Sequence, residues 1–177
     1  MDLVTLILAC SLYADNSIPY AMLQTSQISN PRTITVANQR KTFKTDAAAA
    51  AYAQQQLDEG NSVNIGLLQL SSRQLKKASL PVKLIELLRP CRNVVVATDI
   101  MNHLQLACQA AAEYNPELDV QACMIDNYLG NFQTDASYTE QVLGYAEDHP
   151  FSAIAAKALS STEDHNLSTL ANHDNHH

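Results

Sequence analysis

Thr45-Asp46 followed by five consecutive alanines, Ala47 to Ala51, is the segment that most restricts how this chain can fold. Alanine loses no side-chain entropy in a helix and contributes little to a pleated sheet, so Ala47–Leu57 must be helical. Thr45-Asp46 supplies the N-cap chemistry, and Gly60 suits the left-handed residue that ends a helix. Only 4 glycines occur in 177 residues, too few for the many tight turns of an all-β sandwich. A chain of this length fits one domain around a single core.

The rest of the sequence is read from the same signals. Residues 2–12 form an apolar helix, and Asp15-Asn16-Ser17 caps a second from Ile18 to Ser26. Asn30-Pro31 stops it, because the residue before proline is pushed out of the α region. Thr33–Val36 and Arg40–Lys44 are two short strands around Asn38, an antiparallel hairpin. Val63–Leu70 is apolar with embedded polar residues. Ser71–Lys77 and Val82–Leu88 are short helices, Cys91–Ala112 a long one, and Leu80-Pro81 and Arg89-Pro90 punctuate between them. Amphipathic helices follow at Glu117–Leu129 and Tyr138–Ala146, and Pro150 starts a last one to Leu159. The expected class is α+β, mostly helical, with one small β-hairpin. Residues 1–159 are the domain, and 160–177 a polar, His-containing tail without apolar periodicity.

Charge and cysteine usage bound the function. Residues 1–92 carry ten Lys/Arg against six Asp/Glu, a balance of +4; residues 93–177 carry only Lys157 against twelve acids, a balance of −11. That split argues against a nucleic-acid-binding surface and leaves an acidic half able to dock a basic partner. Cys10, Cys91, Cys108 and Cys123 lack the CxxC or CxxH spacing of a zinc site, so neither metal nor cofactor is expected. Four cysteines permit two disulfides in three pairings, or free thiols in a reducing compartment. His173, His176 and His177 read as part of a solvated tail. No run of eighteen apolar residues exists, so no membrane span is expected. Leu3–Ala9 follows Asp2 rather than a basic segment and reads as a buried first helix, not a secretory signal.

Three segments carry a family resemblance. The first is Ala21-Met22-Leu23-Gln24-Thr25-Ser26-Gln27-Ile28-Ser29-Asn30-Pro31. The second runs Asn61 to Arg73 and contains Gly66-Leu67-Leu68-Gln69-Leu70-Ser71; the third is Asn127-Tyr128-Leu129-Gly130-Asn131-Phe132. In this order, with a hairpin and an alanine-rich helix between the first two, they resemble the soluble, goose-lysozyme-like lytic transglycosylases. That family has Ala-Leu-x-x-x-Glu-Ser-x-x-Asn-Pro, then Asn-x-x-x-Gly-Leu-x-Gln-Ile-Asn, then Tyr-Asn-x-Gly-Asn. Arg89-Pro90-Cys91-Arg92-Asn93 and Cys108 are similar to the branch that accompanies type IV secretion and conjugation. The match spans residues 10–147.

The resemblance implies a lysozyme-like fold, a periplasmic location, peptidoglycan strands as ligand and secretion or conjugation subunits as partners. In the family one carboxyl protonates the leaving glycosidic oxygen and then takes the proton from the hydroxyl that closes the anhydro ring. Its position falls on Ser26, whose hydroxyl cannot replace a glutamic acid poised near neutrality. Losing an acid/base group costs about 10²–10⁴ in rate. The expectation is therefore a catalytically impaired domain that serves as a peptidoglycan-binding or assembly module. Asp126, just before the third motif, or else Glu59, is the alternative acid of an active enzyme, and an adaptor docking through the acidic half is the third reading. Gly66, Leu68, Gln69, Asn30, Tyr128 and Asn131 are the expected substrate contacts. Gly66 would allow close backbone approach, and Gln69 would offer its amide to an N-acetyl group.

Overall fold

The computed structural model describes residues 2–79, 81–130 and 136–160. The polar tail beyond residue 160 and the expected contact Asn131 lie outside these described residues. Among the described residues, eight α-helices accompany a small antiparallel sheet, an α+β arrangement that is mostly helical.

The chain opens with α1 (Leu3–Cys10), capped by the Asp2 carboxylate accepting from Thr5 N, and α2 (Ser17–Ser26). Asp15 Oδ1 accepts from Ser17 N just ahead of α2. A hairpin follows, β1 (Thr33–Val36) and β2 (Gln39–Thr42), and then α3 (Asp46–Asp58), where Thr45 caps by accepting from Ala48 N. Gly60 takes φ +83 at the end of α3.

The sheet is larger than a hairpin. β3 (Val63–Ile65) and β4 (Leu70–Ser71) join it in the order β2-β1-β3-β4, all antiparallel. Strands of three and two residues are too short for a period of two to show in sequence, and every residue of both is buried. Next come α4 (Ser72–Lys77), α5 (Pro90–Ala112), α6 (Val120–Leu129), α7 (Ala136–Asp148) and α8 (151–160). The segment expected as a helix over Val82–Leu88 is a single 3-10 turn, Leu84–Leu88, directly before Pro90. α6 begins three residues later than its periodicity suggests, because Asp119 caps it by accepting from Gln121 N and Ala122 N.

The core is one cluster. Ile7 of α1, Ile18 and Leu23 of α2, and Ile34, Ile65 and Leu70 of the sheet all lie in it. So do Leu87, Val94 and Met101 with Met124 and Ile125 of α6. α5 packs along α6 and α1, and α2 along α7. Of the three cysteine pairings the sequence allows, the fold takes Cys10–Cys91 and Cys108–Cys123. The first fastens the end of α1 to the start of α5, the second α5 to α6. No helix among the described residues is long and apolar enough to cross a membrane.

Candidate functional site

One turn and one row of paired residues create the site. The β1–β2 connection has two residues, Ala37 and Asn38, with φ 46 and 65. Positive φ at both central positions matches the right-handed twist of the strands they join. The register places Arg40 opposite Thr35, Thr35 opposite Asn64, and Asn64 opposite Ser71. Directly paired residues share a face of the sheet. These four therefore form a polar row across all four strands, while Ile34, Ile65 and Leu70 turn to the core.

The Ser71–Asn64 end of that row is the base of a groove of about 650 Å³, within the roughly 300–1,000 Å³ of ligand clefts. Asn38 and Val36 at the hairpin turn, with Asn61 and Ser62 before β3, make one wall. The C-terminal turn of α6, Asp126 to Gly130, contributes a second wall, and Arg73, Gln74 and Lys77 of α4 complete the lining. Amides and hydroxyls dominate this lining; two cations and a single carboxylate complete its charged groups.

The walls are tied to one another. Gln74 Nε2 donates to Asn127 O, joining α4 to α6. Asn127 Nδ2 donates to Cys123 O at 2.8 Å. Thr139 Oγ1 donates to Asp126 Oδ1 at 2.5 Å, joining α7 to α6. Tyr128 is 1 % exposed, and its hydroxyl donates to Leu68 O at 2.7 Å. Burial pushes its phenol well above the usual tyrosine range, helped by the nearby Tyr138, so it stays a proton-bearing donor.

Asn64 differs from these bonded residues. It is 2 % exposed, yet among the described residues its side-chain amide has no hydrogen-bond partner. Its two polar ends are not sealed away either: the one fully enclosed and unbonded side-chain atom among the described residues is Asn16 Oδ1. Asn64 therefore keeps its donor and acceptor for whatever fills the groove.

The expected contacts separate into two groups. Asp126 and Tyr128 line the groove. Gly66, Leu68, Gln69, Asn30 and Ser26 do not. Gly66 takes φ +78, and the group it lets approach is Asn93, which a β-carbon there would overlap. Leu68 is a core residue. The Gln69 amide faces inward, accepting from Thr35 Oγ1 at 2.5 Å and donating to Gly66 O at 2.6 Å. Asn30 Oδ1 accepts from Arg32 N at 2.9 Å in a local turn.

Ser26 is the last residue of α2 and is 9 % exposed. Its hydroxyl donates to Leu23 O at 3.2 Å, and its carbonyl accepts from Arg40 Nη1 at 3.0 Å. It thus stands beside Arg40, at the far end of the polar row from the groove lining. Next to it, Thr25 Oγ1 donates to the Tyr138 hydroxyl at 3.3 Å. Burial raises the Tyr138 phenol, and the bond to Thr25 and the Arg40 charge oppose that rise.

Lining residues not expected as contacts are Asn38, Gln74 and Lys77, and, inside the second motif segment, Asn61, Ser62, Asn64 and Arg73. For Asn64 a signal existed: a lone amide between Val63 and Ile65, both fully buried. Among the described residues no group of three or more His, Cys, Asp or Glu could hold a metal ion. No known family, curated protein or solved structure matches the chain.

Proposed function

We propose that the chain is a lysozyme-like, lytic-transglycosylase-related domain whose groove binds peptidoglycan glycan strands without efficient cleavage, in the setting of type IV secretion or conjugation. The three motif segments motivate the family, and the mostly helical α+β architecture is compatible with it. Two disulfides are stable in an oxidising compartment, which supports a periplasmic site of action.

Asn64 carries the binding part of this reading. An amide unpaired within the protein but open to the groove can exchange its water for hydrogen bonds to a ligand at little cost. A groove that keeps one open at its base, among further amides and hydroxyls, suits a ligand rich in hydroxyl and N-acetyl groups. Such a ligand presents donors and acceptors at every unit, and the fixed walls keep the ordering cost of binding low.

Asn64→Leu tests the role. Because the amide has no protein partner, replacing it with an apolar side chain of similar size is expected to leave stability unchanged or slightly raised. Affinity for an N-acetylglucosamine oligomer, measured by titration calorimetry, should fall about tenfold or more. A large loss of stability with unchanged affinity would show that Asn64 serves the fold instead.

The cleavage part rests on the proton donor. A general acid must lie within hydrogen-bond reach of the scissile oxygen. Ser26 bonds its own helix, and Asp126 is the sole carboxylate of the lining, exposed and engaged by Thr139. That position favours one competing reading, an active enzyme using Asp126 as its relocated acid. Release of soluble fragments from purified sacculi, abolished by Asp126→Asn, would establish the competing reading. Absence of release from both proteins is the expected outcome.

A further inference from the structure

Resting on the glycan-binding reading, we infer that Arg73 and Lys77 form an anion-recognition corner, so that the groove selects a glycan bearing a carboxylate. The two residues lie one turn apart on α4, and both line the groove. Residues at i and i+4 share a helix face, so their charged ends can converge on a single anionic group.

Among the described residues neither cation has an ion-pair partner: the ion pairs there are Arg32–Asp46 and His103–Asp99. The carboxylate in the same groove, Asp126, is engaged by Thr139 of α7. In a chain of net charge −7, two uncompensated cations beside an unpartnered amide make a composite site. Asn64 offers a neutral donor and acceptor at the base, and α4 offers positive charge at the side. A sugar unit with an acidic substituent satisfies both. Arginine adds a planar fork that can bind a carboxylate through two parallel bonds, and lysine adds a point charge.

The test compares three probes by titration calorimetry at low salt. They are an oligomer of alternating N-acetylglucosamine and N-acetylmuramic acid, its carboxyl-reduced counterpart, and an uncharged N-acetylglucosamine oligomer. The wild-type chain is expected to bind the acidic oligomer about tenfold more tightly than the reduced one, with the gap narrowing as salt screens the charges. The double variant Arg73→Gln/Lys77→Gln, altered only at exposed side chains, is expected to bind all three equally, at the affinity of the uncharged probes. Equal binding of acidic and reduced oligomers by the wild type overturns the anion corner and leaves the glycan reading intact. A preference that survives in the double variant overturns the assignment to Arg73 and Lys77. Binding of none of the probes overturns both readings.

Discussion

Asn93→Leu is expected to destabilise the protein by on the order of 4 kcal/mol, read as a shift of the urea midpoint without a change in slope. Asn93 sits on the first turn of α5 and is 0 % exposed. Its Nδ2 donates to Ile65 O at 3.0 Å and to Leu87 O at 2.9 Å, and its Oδ1 accepts from Leu68 N at 2.9 Å. One side chain thus satisfies three buried backbone groups on two separate segments: the end of β3 with its following turn, and the 3-10 turn before α5. Removing it strands all three, each at about 1–3 kcal/mol, with relaxation recovering part of the sum. Typical domain stabilities are about 5–15 kcal/mol, so the loss would approach unfolding.

Asn93→Asp separates hydrogen bonding from packing. The shape is nearly the same, but a carboxylate cannot donate to the Ile65 and Leu87 carbonyls, so the variant should be as unstable as Asn93→Leu. If Asn93→Asp proved close to wild type, the hydrogen-bond account would be wrong. Gly66 belongs to the same unit: with φ +78 and Asn93 packed where a β-carbon would stand, no other residue fits there without displacing the amide.

Removing the Cys10–Cys91 disulfide by a double alanine substitution should cost about 4–5 kcal/mol, against about 3 kcal/mol for Cys108–Cys123. The difference comes from the chain each bond closes in the unfolded state: a sequence separation of 81 for the first and 15 for the second. A longer closed loop removes more conformational freedom from the unfolded chain. The first bond also fastens α1 to α5, an attachment supported otherwise by apolar contact, by Leu12 N donating to Thr98 Oγ1 at 2.9 Å and by Asn102 Nδ2 donating to Leu12 O at 2.8 Å. Urea melts of the two double variants check the order. A greater loss from the short-loop pair would contradict the chain-entropy account.

The elements legible in the sequence are those whose physics is local. Alanine propensity, the Thr45 cap and Gly60 mark α3 almost to the residue, and Pro90 marks the start of α5. The β1–β2 hairpin is legible from its β-branched strand, although its turn places Ala37 at a positive φ that residue type alone would not suggest. β3 and β4 escape because two- and three-residue strands buried throughout show no alternation. The cysteine pairing escapes because spacing does not choose among three connectivities.

The site was legible in its neighbourhood and not in its contacts. Motif spacing pointed to Gly66, Leu68 and Gln69, and these form the turn between β3 and β4, the strands that carry Asn64 and Ser71. Their polar groups, however, are consumed inside the fold by Asn93 and Thr35. Which side of a turn faces a cleft depends on what packs against the other side, and here the packing partner arrives from α5, 25 residues beyond Leu68. Arg73 and Lys77, on a segment read only as a short helix, carry no sequence signal of a site for the same reason: the wall that makes them part of a groove is α6, remote in the chain.

The central claim is that a glycan enters the groove and is held at Asn64. Amide chemical-shift mapping during titration with an N-acetylglucosamine oligomer tests it most directly. The account predicts saturable shifts concentrated at Asn38, Asn64, Ser71, Gln74 and Asn127, with Ser26 and the α3 surface unmoved. Shifts centred on Ser26 and Tyr138, or none at saturating oligomer, would contradict it.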